Sequence, residues 1–312
     1  MEISSKTQAV SRLARRFLCA LSLALFAVSN FADAQNPLDK LGPDLVYTLP
    51  TLPASGQATT FTIVDNTGVG AEVEEKLLVR NGSLFQIRAK VKLGYAEVLG
   101  SYQIVSDLGA LDAGIYTVEY IAEARFTDKP YTGETKSWTW RFVVVDASQA
   151  VGAVEYYHSG FNHYFLTADA YEIAALDSGQ FSGWSRTGQV IRVIAPTGLV
   201  AGDSPVCRFY GRPEAGLDTH VYTANETECA ILASQPAVWI FERPDAFEVA
   251  SIDTTSGACP INMLRVFRLW NGLAAANHRY TTSTQIQAQM AASGWIPEGS
   301  GQPPAIWCAL PQ

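Results

Sequence analysis

The sequence lacks the short motifs that identify the common enzyme classes. It contains no G-x-S-x-G nucleophile elbow, no H-E-x-x-H zinc motif, no P-loop and no G-x-G-x-x-G dinucleotide fingerprint. It also has no C-x-x-C pair, which disfavours a zinc-finger type of site. We therefore predict no catalytic residues, no bound metal and no cofactor.

Long apolar runs are missing beyond the N-terminal segment. Residues 1–34 combine a basic start with the apolar run Phe17–Val28 and end in Ala32-Asp33-Ala34, the small-x-small pattern of a secretory signal peptide. No later stretch approaches the roughly 20 apolar residues that a transmembrane helix needs. We predict cleavage after Ala34 and a secreted or periplasmic protein with no transmembrane segment after cleavage.

Positive charge is also scarce. The chain has 22 basic and 30 acidic residues, and the predicted signal peptide carries four of the former and two of the latter. The remainder has 18 basic and 28 acidic residues and a net charge of −10. This charge disfavours nucleic acid and anionic membrane surfaces as partners.

Cysteine is absent between residue 20 and residue 206. The four cysteines that follow are an even number in an exported chain, which predicts two disulfides. Of the three possible pairings we favour Cys207–Cys229 and Cys259–Cys308, with free buried thiols as the alternative.

Residues 35–148 have the pattern of a β-sandwich domain. Short apolar or alternating runs separated by Gly, Pro, Asn and Asp predict antiparallel strands. The stretch Leu111–Tyr116 reads L-x-x-G-x-Y and resembles the tyrosine corner of immunoglobulin-like domains, in which the tyrosine hydroxyl bonds to nearby backbone. Trp138 and Trp140 lie on one face of a strand. We favour a core pair or a pair packed against the next domain over a pair that stacks on sugars.

Residues 149–312 repeat one pattern three times, in units of about 153–200, 205–255 and 262–310. His163, His220 and His278 are 57 and 58 residues apart, and the tryptophans that follow them are 55 and 56 apart. A fixed period of this size predicts a repeat architecture. Each unit reads as strand, strand, helix, strand, and we expect the three to pack in a pseudo-threefold arrangement. The predicted fold class is thus mainly β with short helices (α+β), an immunoglobulin-like sandwich followed by a three-repeat module.

Helix-start signals follow each of these histidines. A capping residue precedes a carboxylate or amide by three positions at Asp169, Asn225 and Thr282. Glycine ends the predicted helix in the first and third units, at Gly179 and Gly294.

The pattern of aromatic strand, H-x-Y-T-T, helix and G-W-x-x-E-G resembles a secreted bacterial repeat family known as DUF5648, a domain of unknown function. The resemblance covers about residues 153–310. The third unit matches it best, from His278 to Gly299, whereas the first unit has Leu166 and Thr187 at the threonine and glutamate positions. Members of the family occur as accessory modules on exported proteins, some of them attached to polysaccharide hydrolases. The resemblance therefore implies carbohydrate or envelope binding by association only.

The repeated histidines allow three interpretations. We favour structural residues that hydrogen-bond within their own units, ahead of ligand contacts. Three imidazoles converging on one zinc are the least favoured, since the same symmetry could place them far apart. Glu242 and Glu298 could form an acid pair, but the sequence does not give their separation, on which glycoside hydrolysis depends.

We predict an exported, non-catalytic binding protein that recognises carbohydrate or a cell-envelope polymer. The alternatives are an envelope-associated hydrolase with unrecognised acid residues, and a structural or protein-interaction module. The candidate ligand-binding residues are the repeat histidines and the aromatic residues of the strands, namely His163, His220, His278, Tyr157, Tyr210, Trp270, Tyr222 and Tyr280.

Overall fold

β-Strands make up most of the molecule. The computed structural model describes residues 36–97, 100–196, 203–273 and 276–312, and these residues form 19 strands and three α-helices of eight or nine residues. The prediction of a mainly β protein is therefore confirmed. The predicted signal peptide and its cleavage site lie outside the described residues.

The N-terminal half consists of two sheets. Strands β1, β2 and β5 form the first, and β3, β4, β6 and β7 form the second. Neighbouring strands are antiparallel except β4 and β6, which are parallel. The strands are β1 Leu45–Leu49, β2 Ala58–Asn66, β3 Val69–Asn81, β4 Leu84–Glu97, β5 Ser101–Ala110, β6 Gly114–Phe126 and β7 Thr135–Val144.

One hydrophobic core lies between these two sheets. Strand β6 shows why: its side chains alternate strictly between buried and half-buried positions, because successive residues of a strand point to opposite faces. Phe61 of the first sheet and Phe85 and Val118 of the second belong to the same core. The Tyr116 hydroxyl donates a hydrogen bond to the Asp112 carbonyl at 3.0 Å, the contact expected of a tyrosine corner. The immunoglobulin-like classification stays a prediction.

The paired tryptophans of β7 pack against this core. Both are half-buried. The Trp138 ring stacks on Tyr120 with centroids 5.4 Å apart, and the Trp140 ring lies 6.2 Å from Phe61. These contacts favour the core interpretation of the pair over sugar stacking.

The C-terminal half contains the order strand, strand, helix, strand three times. The first unit is β8 Ala150–His158, β9 His163–Thr167, α1 Ala170–Asp177 and β10 Trp184–Ile194. The second is β12 Cys207–Gly211, β13 His220–Thr223, α2 Glu226–Ala233, β14 Trp239–Arg243 and β15 Glu248–Ala250, preceded by β11 Asp203–Pro205. The third is β16 Leu264–Trp270, β17 His278–Thr281, α3 Thr284–Ala292, β18 Ile296–Glu298 and β19 Trp307–Ala309.

A nine-stranded sheet joins the three units. Its main path is β17-β16-β19-β15-β10-β8-β9, with β11 paired to β15 and β18 paired to β16. The first strands of the second unit form a separate sheet in the order β13-β12-β14. The threefold arrangement itself stays a prediction.

Each α-helix begins three residues after a buried threonine that ends a strand, and its cap lies two residues after that threonine. The caps are Asp169 and Asn225, as predicted, and Ser283, where Thr282 was expected. The third prediction was wrong by one residue. The Thr281 hydroxyl accepts a hydrogen bond from the Ser283 N–H, which places Ser283 at the cap. The other caps have the same arrangement with their own threonines.

Two tyrosines fix the spacing between successive units. The Tyr222 hydroxyl donates to the Leu166 carbonyl at 2.6 Å and accepts from the Leu166 N–H at 3.0 Å. The Tyr280 hydroxyl makes the same pair of bonds with the backbone of Tyr222, at 3.2 and 2.9 Å. Each tyrosine hydroxyl thus satisfies both backbone groups of the residue at the equivalent position of the preceding unit, as a neighbouring strand would do.

The two disulfides join Cys207 to Cys229 and Cys259 to Cys308, which confirms both predicted pairings. The first links β12 to α2 within the second unit. The second links the segment before β16 to β19. Disulfides of this kind are typical of proteins that fold in an oxidising compartment.

The two halves are held together by backbone and side-chain contacts. Asn262 accepts a hydrogen bond from the Val143 N–H at 3.0 Å and donates one to the Val143 carbonyl at 2.8 Å. A shared hydrophobic cluster includes Val145, Ala250 and Leu310. Residues 36–312 accordingly form one compact unit, and the division at residues 148 and 149 into two domains stays a prediction.

One buried ion pair connects the third unit to the first. The Arg279 guanidinium donates to both carboxylate oxygens of Glu155, at 2.9 and 3.0 Å, and Glu155 is only 2% exposed. We predict that Arg279→Met lowers the free energy of unfolding by about 3 kcal/mol, because it leaves a buried carboxylate without its countercharge.

The matched control is Arg186→Met, which removes a similar pair with Asp177 whose side chains are 48% and 40% exposed. Exposed pairs contribute little, so this variant should unfold nearly as the parent does. Chemical denaturation of both variants measures the difference. Equal losses would show that burial of the Glu155 pair is unimportant.

Candidate ligand-binding site at the junction of the first two units

The strand registers show which residues of the three units are equivalent. Tyr210 lies opposite His220 and Trp270 opposite His278, and in the first unit Tyr157 lies opposite Tyr164. Tyr164 therefore occupies the histidine position of the first unit. The expectation that His163 is equivalent to the other two was wrong, because β9 is one residue longer and His163 pairs with His158 at its start.

Arg208 connects the first and second units. Its side chain is 7% exposed and lies between two carboxylates. The guanidinium NH1 and NH2 groups donate to Glu172 of α1 at 2.8 and 2.7 Å, and Nε lies 2.8 Å from Oε2 of Glu242 on β14. Such a bidentate pair combines charge with directional hydrogen bonds. The helix of one unit is thereby fixed to the first strand of the next.

His220 is the fourth polar member of this group. Its Nε2 lies 3.4 Å from Oε2 of Glu242. The imidazole packs edge-on against Phe165 at 4.7 Å, and it lies tilted against the Tyr210 ring at 5.0 Å. It also lies near Tyr222, the neighbour two residues on, at 6.5 Å.

These residues line a cavity of about 310 Å³, which we call the first-junction site. A volume of this size is at the lower end of the range for small-molecule sites. Its members are the polar residues Glu172, Arg208, His220 and Glu242 and the apolar residues Phe165, Leu176, Phe181 and Trp184. Among the described residues none donates a hydrogen bond to Oε1 of Glu242, so this oxygen is available to a ligand.

Both carboxyl groups of the site are ionised at neutral pH. Burial raises the pKa of Glu242, but the contacts with His220 and Arg208 outweigh it and the pKa lies below its ordinary value. Burial likewise opposes the hydrogen bonds from Arg208 and Thr167 to Glu172, and its pKa also ends below the ordinary value. The site therefore offers charged acceptors, and neither carboxyl is suited to act as a general acid.

The second and third units meet in a similar group. Arg268 donates to Glu228 at 3.2 and 2.9 Å, and its Nε lies 2.9 Å from Oε2 of Glu298. Nε2 of His278 lies 3.5 Å from the same oxygen. Burial and the charge of Arg268 lower the pKa of His278 to about 3. This imidazole is therefore neutral at physiological pH.

Of the predicted ligand-binding residues, only His220 lines the first-junction site. Tyr222 and Tyr280 lie in the core and their hydroxyls bond backbone, so we assign them a structural role. The Tyr157 hydroxyl donates to Asn162 at 2.8 Å, and the Tyr210 hydroxyl donates to Asp218 at 2.6 Å.

The remaining predicted residues lie outside this cavity. His163 is buried with its Nδ1 3.9 Å from Asp218, Trp270 is half-buried opposite His278, and His278 belongs to the second group. Across the described ranges, no three His, Cys, Asp or Glu side chains are arranged to hold a metal ion.

Five residues of the site were not predicted from the sequence, namely Glu172, Arg208 and the wall residues Phe165, Phe181 and Trp184. A signal was present for the arginine, since an arginine occupies the same position in the first strands of the second and third units, at Arg208 and Arg268. Nothing local indicated that its partner would be the third residue of a helix in the preceding unit.

The family described as Domain of unknown function (DUF5648) matches residues 111–249 and again residues 153–302. Together these matches span more than half of the chain, and the protein belongs to this family. The two matches end 53 residues apart, close to the spacing of the repeat histidines. No curated protein and no solved structure matches the chain. Within the described residues, none of the helices has the length and apolar character needed to cross a membrane.

The lowered pKa of His278 makes stability depend on pH. The unfolded chain binds a proton at His278 near pH 6.5 and the folded chain only near pH 3, so stability is present above pH 6.5 and is lost as the pH falls towards 3. We predict that His278→Gln reduces the loss of unfolding free energy between pH 7 and pH 4 by about 3 kcal/mol.

Denaturation of parent and variant at both pH values measures this difference. His158→Gln is the control, since His158 belongs to the first unit, where its ring packs on Phe161 and Trp184. An unchanged loss in His278→Gln would show that His278 is not the titrating group.

Proposed function

We propose that the chain is an exported, non-catalytic binding protein that recognises neutral carbohydrate at the first-junction site. In this proposal the three units form a three-repeat module behind an immunoglobulin-like sandwich. The observation that carries the proposal is the combination of aromatic walls and ionised carboxylates in one cavity between two units.

The walls fit the apolar faces of a sugar ring. The faces of aromatic rings are negative, so they attract the weakly positive C–H groups of a pyranose. Trp184 is half-buried and fixed against Phe165 and His158. Phe181 is 52% exposed and lies at the edge of the cavity, where a ligand would cover it.

The polar side fits sugar hydroxyls. A carboxylate accepts hydrogen bonds from hydroxyl groups, and Oε1 of Glu242 has none from the described residues. Arg208 is already neutralised by Glu172 and Glu242, so among the described lining residues no lysine or arginine is left unpaired for an acidic sugar. We therefore assign a neutral ligand rather than a uronic acid or a phosphorylated glycan.

The same charge state argues against an unrecognised hydrolase at this site. Glycoside hydrolysis needs one carboxyl that keeps its proton at the working pH and donates it to the leaving group. The pKa values of Glu172 and Glu242 are both lowered by their cationic neighbours, so neither carboxyl meets this need.

The test is binding to a panel of cellotetraose, chitotetraose, maltotetraose, mannotetraose and the anionic tetragalacturonate. We expect the oxidised protein to bind a neutral member, and Phe181→Ala to weaken that binding by at least about tenfold, because an aromatic wall is lost. Phe181 is exposed, so the variant should fold as the parent does.

The control is Tyr171→Ala, which removes a tyrosine on α1 that is 88% exposed and lies outside the cavity. It should bind as the parent does. Failure to bind any neutral member, or equal binding by Phe181→Ala and the parent, would overturn the proposal.

A further inference from the structure

We propose that the junction of the second and third units is a second binding site for the same class of ligand, and that the junction of the third and first units is not a site. This inference rests on the proposed function of the first junction. Its consequence is that one protein molecule binds two neutral glycan chains, or two segments of one chain.

The polar side of the second junction repeats that of the first. Glu228, Arg268, Glu298 and His278 take the positions of Glu172, Arg208, Glu242 and His220. The distance from the arginine Nε to the strand carboxylate is 2.9 Å in place of 2.8 Å, and that from the histidine Nε2 is 3.5 Å in place of 3.4 Å.

The acceptors of the two junctions are also equally accessible. The Glu298 side chain is 28% exposed and that of Glu242 is 26% exposed, while both arginines are nearly buried. Among the described residues, none donates a hydrogen bond to Oε1 of Glu298. The two carboxyl groups are thus comparably exposed, although burial raises the pKa of Glu298 while the contacts with His220 and Arg208 lower the pKa of Glu242.

The apolar side of the second junction is smaller. Leu232 takes the place of Leu176 and Trp239 that of Trp184, at the same positions in the helix and the following strand. Val221, however, stands where the first junction has the phenyl ring of Phe165. We therefore expect weaker binding at the second junction than at the first.

At the third junction, different residues stand at all four positions of the polar group. Glu155 stands at the arginine position, Thr187 at the strand glutamate position and Tyr164 at the histidine position, while Ile286 replaces the helix glutamate. Arg279 occupies both carboxylate oxygens of Glu155 and lies over the Tyr164 ring at 4.5 Å. At this junction, both oxygens of the one carboxylate among the described residues of the group are therefore already bonded.

The test is isothermal titration of the oxidised full chain with whichever neutral tetrasaccharide of the panel binds most tightly. We expect two sites in the parent. Glu298→Gln should weaken binding at the second junction and Glu242→Gln binding at the first, because the charged acceptor is lost while the amide oxygen can still accept from the arginine Nε and keep the guanidinium paired. Thr187→Val, the matched change at the third junction, should leave two sites.

A second measurement does not depend on variants. In the ¹⁵N-labelled parent, the indole N–H signals of Trp184 and Trp239 should both shift on titration, at different concentrations. A single site with a shift of Trp184 alone, unchanged by Glu298→Gln, would overturn the second site and leave the proposed function intact. No binding by any neutral tetrasaccharide would overturn both.

Discussion

A buried arginine between two carboxylates is the interaction on which the C-terminal half depends. Arg208 and Arg268 each join the helix of one unit to the first strand of the next, and each also binds a glutamate of its own unit. A buried guanidinium is stable only when its charge and hydrogen-bonding groups are satisfied. The two carboxylates therefore fix the position of the arginine, and the arginine fixes the distance between units. The cavity at the first junction exists because three polar side chains from two units must meet there.

The local features of the fold could be predicted from the sequence. Alternating residues predicted the strands, caps and glycines predicted the helices, and the even number of cysteines after a predicted signal peptide predicted the two disulfides. These patterns lie within a few residues of each other or follow a fixed period. The third cap was missed because Thr281 and Thr282 are chemically alike, and only the strand register shows which of them ends the strand.

The candidate site could be predicted only in part. His220 was found because it repeats, but Glu172 and Arg208 are 36 residues apart and belong to different units. Their pairing depends on how the units pack, which no local pattern specifies. The tyrosines at 222 and 280 were expected at a ligand surface because aromatic residues serve both cores and binding sites. Their hydroxyls instead bond the backbone of the preceding unit, which is the contact that sets the packing.

The reversed ion pair between the third and first units limits how the array can grow. Suppose that an extra copy of the second unit were inserted before the third. Its arginine would pair with the helix glutamate of the preceding unit, and its own helix glutamate would pair with the arginine of the following unit. The same copy placed after the third unit would face Ile286, and its arginine would lack one of its two carboxylates. Arg279 would at the same time lose Glu155, its only acidic partner among the described residues. A unit added internally would therefore keep its charge partners, whereas a unit added after the third would not.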